Sequence, residues 1–251
     1  MEMLDSNSVD MGLTSPPYDD LREYQGYSFQ FKEIAKQLFR VLKPGGVLVW
    51  VVNDSTVDGC ESGTSFKQAL YFMQIGFNLH DTMIYKKKNP LPGAGKRYIQ
   101  CFEFMFILSK GQPKTFNPIL QPAKDYRDNG KKGTARQFDG SLKNYEFETS
   151  WMVPHQNIFE YKIGLYNTTS DKEAFKHPAM FPEALARDQI SSWSDPGDIV
   201  LDPFMGMGTT AKMAVILERN YLGFEISEEY CQDAIARVLE AQHQGKIKDW
   251  F

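Results

Sequence analysis

Six consecutive apolar residues, Val47-Leu-Val-Trp-Val-Val52, constrain the fold of this 251-residue chain more than any other feature. A run of strand length without polar alternation belongs in a sheet covered on both faces. The residues before it, Phe29 to Leu42, carry apolar side chains at 31, 34, 35, 38, 39, 41 and 42, which is helical spacing. Lys43-Pro-Gly-Gly46 stops that helix. Val9 to Thr14 reads as a short buried strand that ends at Pro16-Pro17. Ser65 to Ile75 reads as a helix, and Leu79 to Tyr85 and Phe102 to Leu108 as strands. Near the C-terminus the pattern is helix Phe181 to Trp193, strand Asp198 to Asp202, helix Gly206 to Leu217, strand Tyr221 to Glu225 and helix Ser227 to Gln242. Such alternation predicts an α/β fold with a doubly wound, mostly parallel sheet.

Three cysteines, Cys60, Cys101 and Cys231, are too few and too far apart for a disulfide frame or a Cys-x-x-Cys zinc site. No metal site is expected. Met1-Glu-Met-Leu-Asp5 lacks the basic segment and apolar run of a signal peptide, and no apolar stretch approaches membrane-spanning length. A reducing, cytoplasmic setting is expected, with no membrane partner.

The net charge is −4, yet charge is segregated. Residues 86–143 hold 13 Lys and Arg against 4 acids, which is +9 and leaves −13 on the remainder. A polyanion partner would explain that separation. Within it, the loop from Lys86 to Arg97 has five cations, two prolines, two glycines and no acid, so it reads as exposed. Gly111 to Lys176 is polar with weak periodicity and reads as an inserted module.

Asp202-Pro-Phe-Met-Gly206-Met-Gly208-Thr-Thr210-Ala211 lies between a strand and a helix, where glycines admit close approach of a ligand to the backbone. Glu225 follows Gly206 by 19 residues, near the spacing of a ribose-binding acid. These residues imply a nucleoside cofactor and by themselves fit a nicotinamide dinucleotide as well as S-adenosylmethionine.

Thr14-Ser15-Pro16-Pro17-Tyr18 separates the two. Ser-Pro-Pro-Tyr followed by Asp-Pro-Phe-x-Gly-x-Gly-Thr-Thr resembles the amino-group DNA methyltransferases, in their beta-type order with the catalytic motif first. Leu42-Lys-Pro-Gly-Gly46, the strand end at Tyr85 and His177-Pro-Ala-Met-Phe-Pro182 extend the likeness over nearly the whole chain. The resemblance implies a circularly permuted Rossmann-like methyltransferase fold. Residues 1–110 would be the catalytic half, 111–176 an inserted target-recognition region and 177–251 the cofactor-binding half. It implies S-adenosylmethionine as cofactor and double-stranded DNA as partner. A cognate restriction endonuclease is a further candidate partner, and the chain would act as a monomer or homodimer. The family's upstream strand ending in Gly-Asp has no counterpart before Val9, so a less complete adenine pocket is expected.

By position, Ser15, Pro16, Pro17 and Tyr18 would form the catalytic turn. An aromatic amine delocalises its lone pair into the ring, and acceptors aimed at its hydrogens would localise that pair. Ser15 Oγ and the Pro16 carbonyl are the candidate acceptors, Pro17 stiffens the turn, and Tyr18 offers a stacking face to a flipped base. Asp202, Phe204, Gly206, Gly208, Thr209 and Thr210 would line the cofactor loop. Glu225 would take the ribose, and His177 and Phe181 would close the other flank. Tyr85 would help hold the base. Lys86, Lys87, Lys88, Lys96 and Arg97 would clamp phosphates, and Lys131, Lys132 and Arg136 would contact backbone or guanine in the groove. Carbon-5 methylation would need a cysteine nucleophile beside proline, and no cysteine here follows proline. Ser at the first motif position favours cytosine N4 over the alternative, adenine N6. An inactive DNA-binding relative and a nicotinamide oxidoreductase are the competing readings.

Overall fold

The computed structural model describes residues 1–17, 29–90, 92, 96–122, 132–146, 152–164, 167–169, 171 and 180–248. They fall into two compact units, residues 1–117 with 157–251, and residues 118–156.

The larger unit begins with β1 (Val9–Thr14), α1 (Phe31–Val41), β2 (Leu42–Val52) and a small hairpin, β3 (Thr56–Val57) with β4 (Cys60–Glu61). Then come α2 (Thr64–Gln74), β5 (Asn78–Lys87) and β6 (Phe102–Ser109). The smaller unit holds β7 (Leu120–Pro122), β8 (Lys132–Arg136), β9 (Leu142–Glu146) and β10 (Met152–Pro154). The chain returns through β11 (Ile158–Tyr161), α3 (Glu183–Trp193), β12 (Ile199–Asp202), α4 (Thr209–Ile216), β13 (Asn220–Gly223) and α5 (Glu228–Lys248). β11 lies in the span read from sequence as the inserted region, and it pairs with β5 in the main sheet.

The main sheet has seven strands in the order β11-β5-β6-β2-β1-β12-β13. β6 runs antiparallel to both its neighbours, and every other pairing is parallel. The apolar run in β2 sits near the centre and is buried throughout from Val47 to Val52. Alternation divides it between two layers. Leu48, Trp50 and Val52 join Ala35, Leu38 and Val41 of α1 and Ala69 and Phe72 of α2 in one core. Val47, Val49 and Val51 are buried on the opposite face. Trp50 is fully enclosed, and its Nε1 donates to Gln68 Oε1 of α2 at 2.8 Å, so the indole meets no unpaired polar cost.

Lys43-Pro-Gly-Gly46 ends α1, as the sequence predicts, and it also belongs to β2. Val9 pairs with Leu42 and Met11 with Val47, so the intervening residues bulge. Gly45 there has φ +83°, and a Cβ on Gly46 would meet the Asp10 carbonyl oxygen at 2.8 Å. The motif thus turns helix into strand without a separate loop.

Candidate active site

Because β6 alone is reversed, the carboxyl ends of β1, β2, β5, β11, β12 and β13 all lie at one edge of the sheet. The connections leaving β1 and β12 part company there, which makes the β1/β12 border the topological switch point where α/β folds bind ligands. Met11 pairs with Val200 and Gly12 with Leu201. Ser15-Pro16-Pro17 and the loop from Asp202 to Gly208 therefore leave from adjacent strands, although 187 positions separate Ser15 from Asp202 in the chain.

Asp202 ties the two together. Its Oδ1 accepts from Thr14 Oγ1 at 2.6 Å and from the Phe204 amide at 3.0 Å. Its Oδ2 accepts from Thr210 Oγ1 at 2.7 Å. Burial pushes the carboxyl up to about 6, against the pull of these three hydrogen bonds, and the nearby Glu225 charge adds to the rise. Thr14 joins this hydrogen-bonded site although sequence reasoning does not single it out. Its signal is a hydroxyl at the last residue of a strand that must neighbour the aspartate strand.

Glu225 anchors the same loop from the end of β13. Its Oε2 accepts from the Gly206 amide at 2.8 Å, and its Oε1 accepts from the amides of Ile226 at 2.9 Å and Ser227 at 2.8 Å. A carboxylate has about four lone-pair sites, so capacity remains for a hydroxyl donor. Gly206 and Gly208 both have positive φ, +50° and +73°. A Cβ on Gly208 would lie 2.9 Å from Ala234 Cβ of α5, so no larger residue fits that turn. Phe204 is half-buried, edge-on to Phe29 with centroids 5.4 Å apart, and 6.5 Å from Trp50. Thr209 and Thr210 are buried at the start of α4. Phe181 is half-buried just ahead of α3. Tyr18, His177 and Lys131 lie outside the described residues, and Lys132 opens β8.

An ionic cluster found only in three dimensions supports the loop. Lys212 Nζ lies 2.8 Å from both Asp171 and Glu183. Arg237 of α5 lies 2.9 Å from each of the same two acids and also donates to the Met207 carbonyl between the two glycines. Burial works to raise Asp171, but hydrogen bonds from Lys212 and Arg237 outweigh it and hold the carboxyl below its ordinary range. Such a cluster adds little net stability after desolvation, while loss of one member leaves buried charge uncompensated.

Three of the expected DNA-facing cations, Lys86, Lys87 and Arg97, have acid partners. Lys86 lies 2.6 Å from Glu160 and Lys87 lies 2.6 Å from Glu103. Arg97 pairs with Glu61 and donates to the Gly59 carbonyl at 2.9 Å. Lys88 and Lys96 are exposed. The exposed Lys86–Glu160 and Arg97–Glu61 pairs contribute little and are weak enough to exchange for phosphates, whereas Lys87–Glu103 is largely covered. Tyr85 is buried against Tyr161, with centroids 5.7 Å apart, and burial, then the Glu103 charge, pushes its hydroxyl far above the ordinary tyrosine value. Among the described residues no group of three or more His, Cys, Asp or Glu could hold a metal ion, and no helix is long and apolar enough to cross a membrane.

A glycine turn at a helix start, with a carboxylate at the next strand end, fits a nucleoside cofactor. Comparison with known proteins identifies which one. The family described as DNA methylase matches residues 9–236. Over 249 residues the chain is 51% identical to the orphan methyltransferase M.BamHII of Bacillus amyloliquefaciens, covering 95% of this chain and 94% of the relative. It is 30% identical to the type II methyltransferase M.BglII of Bacillus subtilis, covering 94% of this chain and 65% of that one. The solved M1.HpyAVI–SAM complex is 25% identical with a TM-score of 0.58, covering 92% of this chain and 89% of that chain. The cytosine-N4-specific PvuII DNA methyltransferase, 19% identical, shares the fold with a TM-score of 0.67, covering 97% of this chain and 88% of that chain.

The fold and site define an S-adenosylmethionine-dependent methyltransferase of the Rossmann-like class. The chain belongs to the N6/N4 DNA methylase family, which modifies exocyclic amino groups of bases in DNA.

Proposed function

We propose that this protein methylates N4 of cytosine in duplex DNA, at the cleft between the β1 turn and the β12 loop. The observation that carries the reading is the parallel pairing of β1 with β12, closed by the Thr14–Asp202 hydrogen bond of 2.6 Å. Serine at the first position of the catalytic turn supports cytosine. The names of the 51% and 30% identical relatives support a role in DNA modification.

S-adenosylmethionine, when bound, supplies the methyl group on an activated sulfonium. Gly206, Gly208, Thr209 and Phe204 would hold its methionine side, Glu225 its ribose, and His177 and Phe181 its other flank. Ser15 Oγ and the Pro16 carbonyl accept the hydrogens of the target amine and localise its lone pair for attack. Pro17 fixes that carbonyl's direction, and Tyr18 stacks on the extruded base. Lys86, Lys87, Lys88, Lys96 and Arg97 hold the DNA backbone near the same sheet edge. The exposed Lys86–Glu160 pair opens to release its cation.

Mass spectrometry of nucleosides from the DNA of cells expressing the protein is expected to show N4-methylcytosine. N6-methyladenine in its place would overturn the choice of base. Neither product, from cells holding folded protein, would overturn the proposed activity.

A further inference from the structure

The tip of the β8–β9 hairpin carries an aromatic ring, Phe138, that is fully exposed among the described residues. Arg136 pairs with Leu142 at the end of the ladder. Beyond it the Gln137 amide donates to the Ser141 carbonyl at 2.7 Å and the Gly140 amide to the Gln137 carbonyl at 2.9 Å. Gly140 takes φ +83°, the left-handed residue that closes a three-residue hairpin loop, a loop length commonly built on a type I turn. Asp139 Oδ1 accepts from the Ser141 amide at 2.9 Å and from Ser141 Oγ at 2.6 Å. The Ser141 hydroxyl and amide hold the Asp139 carboxyl below its ordinary range. The turn is thus braced by four hydrogen bonds, and it displays Phe138 with its side chain fully exposed.

Turn geometry does not ask for phenylalanine at that position, where most residues fit. Leu142, beside the tip, is also largely exposed. Thr134, Ala135, Arg136, Lys143 and Asn144 are exposed on the two strands. A two-stranded ribbon is marginally stable alone. Its width suits a DNA groove, which admits such a ribbon. Residues 130–146 carry four cations, Lys131, Lys132, Arg136 and Lys143, against Asp139 and Glu146.

We propose that the β8–β9 hairpin enters a groove of the target duplex and that Phe138 is a wedge inserted into the base stack. The inference rests on the reading of the chain as an enzyme of duplex DNA and assigns the side chain that opens the stack there. Apolar wedges at base steps are how proteins unstack DNA, and extrusion of a base requires unstacking. The braced turn leaves little backbone freedom to be lost on insertion.

The test compares full-length wild type, Phe138→Ala and Phe138→Trp. Sheared bulk duplex DNA is bound in the presence of S-adenosylhomocysteine over a salt series, and tritiated methyl transfer to the same DNA is measured alongside. Phe138→Ala is expected to lower affinity or kcat/KM for DNA by about 10- to 100-fold, the scale of one aromatic–base stack. Phe138→Trp is expected to retain most of both. The salt slope should not change for Phe138→Ala, whereas Arg136→Ala should reduce it by about one counterion. Melting temperature should stay within about 1 °C, because the exposed ring contributes nothing to the folded core. Wild-type binding and transfer by Phe138→Ala would overturn the proposal, as would a loss matched by a fall in melting temperature. If wild type binds DNA but transfers no methyl, the proposed function fails and the binding series alone judges the wedge.

Discussion

Replacing Asp202 with alanine is expected to cost about 3 kcal/mol of stability and to lower methyl transfer by about 100-fold. The carboxylate is the shared acceptor for the Thr14 and Thr210 hydroxyls and the Phe204 amide. Thr14 and Thr210 are buried, so truncation strands donors with no water to receive them. For a chain of this size that loss should lower the melting temperature by roughly 10 °C. The expected catalytic loss would follow from slack between the β1 turn and the glycine loop, which Asp202 holds in register. Full activity with an unchanged melting curve would refute this role.

The same carboxyl gives a pH signature. Its pKa rises from 3.8 in the unfolded reference to about 6 when folded. The native state therefore keeps a proton that the unfolded chain releases, and stability falls as pH rises through that window. The contribution is present in full below about pH 4 and gone above about pH 7, a span of about 3 kcal/mol. Asp202→Asn keeps the shape and removes the titration. Urea unfolding of both proteins from pH 4 to 7 should show wild type losing ground to the variant by that amount. A constant difference across the range would contradict the assignment.

Ser15→Ala is expected to reduce kcat by about 100-fold, the usual consequence of removing one preorganised polar partner from a transition state. Affinity for S-adenosylhomocysteine, measured by calorimetry, should stay within about twofold, since Glu225 and the glycine loop sit on other strands. A parallel loss of cofactor affinity would move Ser15 from chemistry to binding. An unchanged kcat would remove it from the site.

Much of the fold is legible in the chain because period and punctuation agree with it. The apolar run at Val47 to Val52, the glycines at 206 and 208 and the proline pair at 16 and 17 each mark local backbone geometry, which sequence encodes directly. The ends of β2 are less legible. Pro44-Gly45-Gly46 reads as a stop, and only the pairing with Val9 shows that a strand begins at Leu42. β11 is hidden in the sequence because four residues at a sheet edge have too little periodicity to register.

Long-range partners are not legible at all. The charge excess of residues 86–143 correctly counts cations, but Glu61 and Glu160, which neutralise Arg97 and Lys86, come from outside that span. The cluster of Asp171, Glu183, Lys212 and Arg237 draws its members from α3, α4, α5 and the chain ahead of α3. No spacing rule joins four residues spread over 66 positions. Thr14 and Asp202 likewise meet only because β1 and β12 are neighbours.

A crystal structure of the protein with S-adenosylhomocysteine tests most directly whether that neighbour relation builds a reaction site. The ligand should occupy the border of β1 and β12, its sulfur turned toward Ser15 and Pro16 and its ribose hydroxyls toward Glu225. Ligand density at any other edge of the sheet, or a serine–proline turn facing away from the sulfur, would mean that the two loops do not share a reaction.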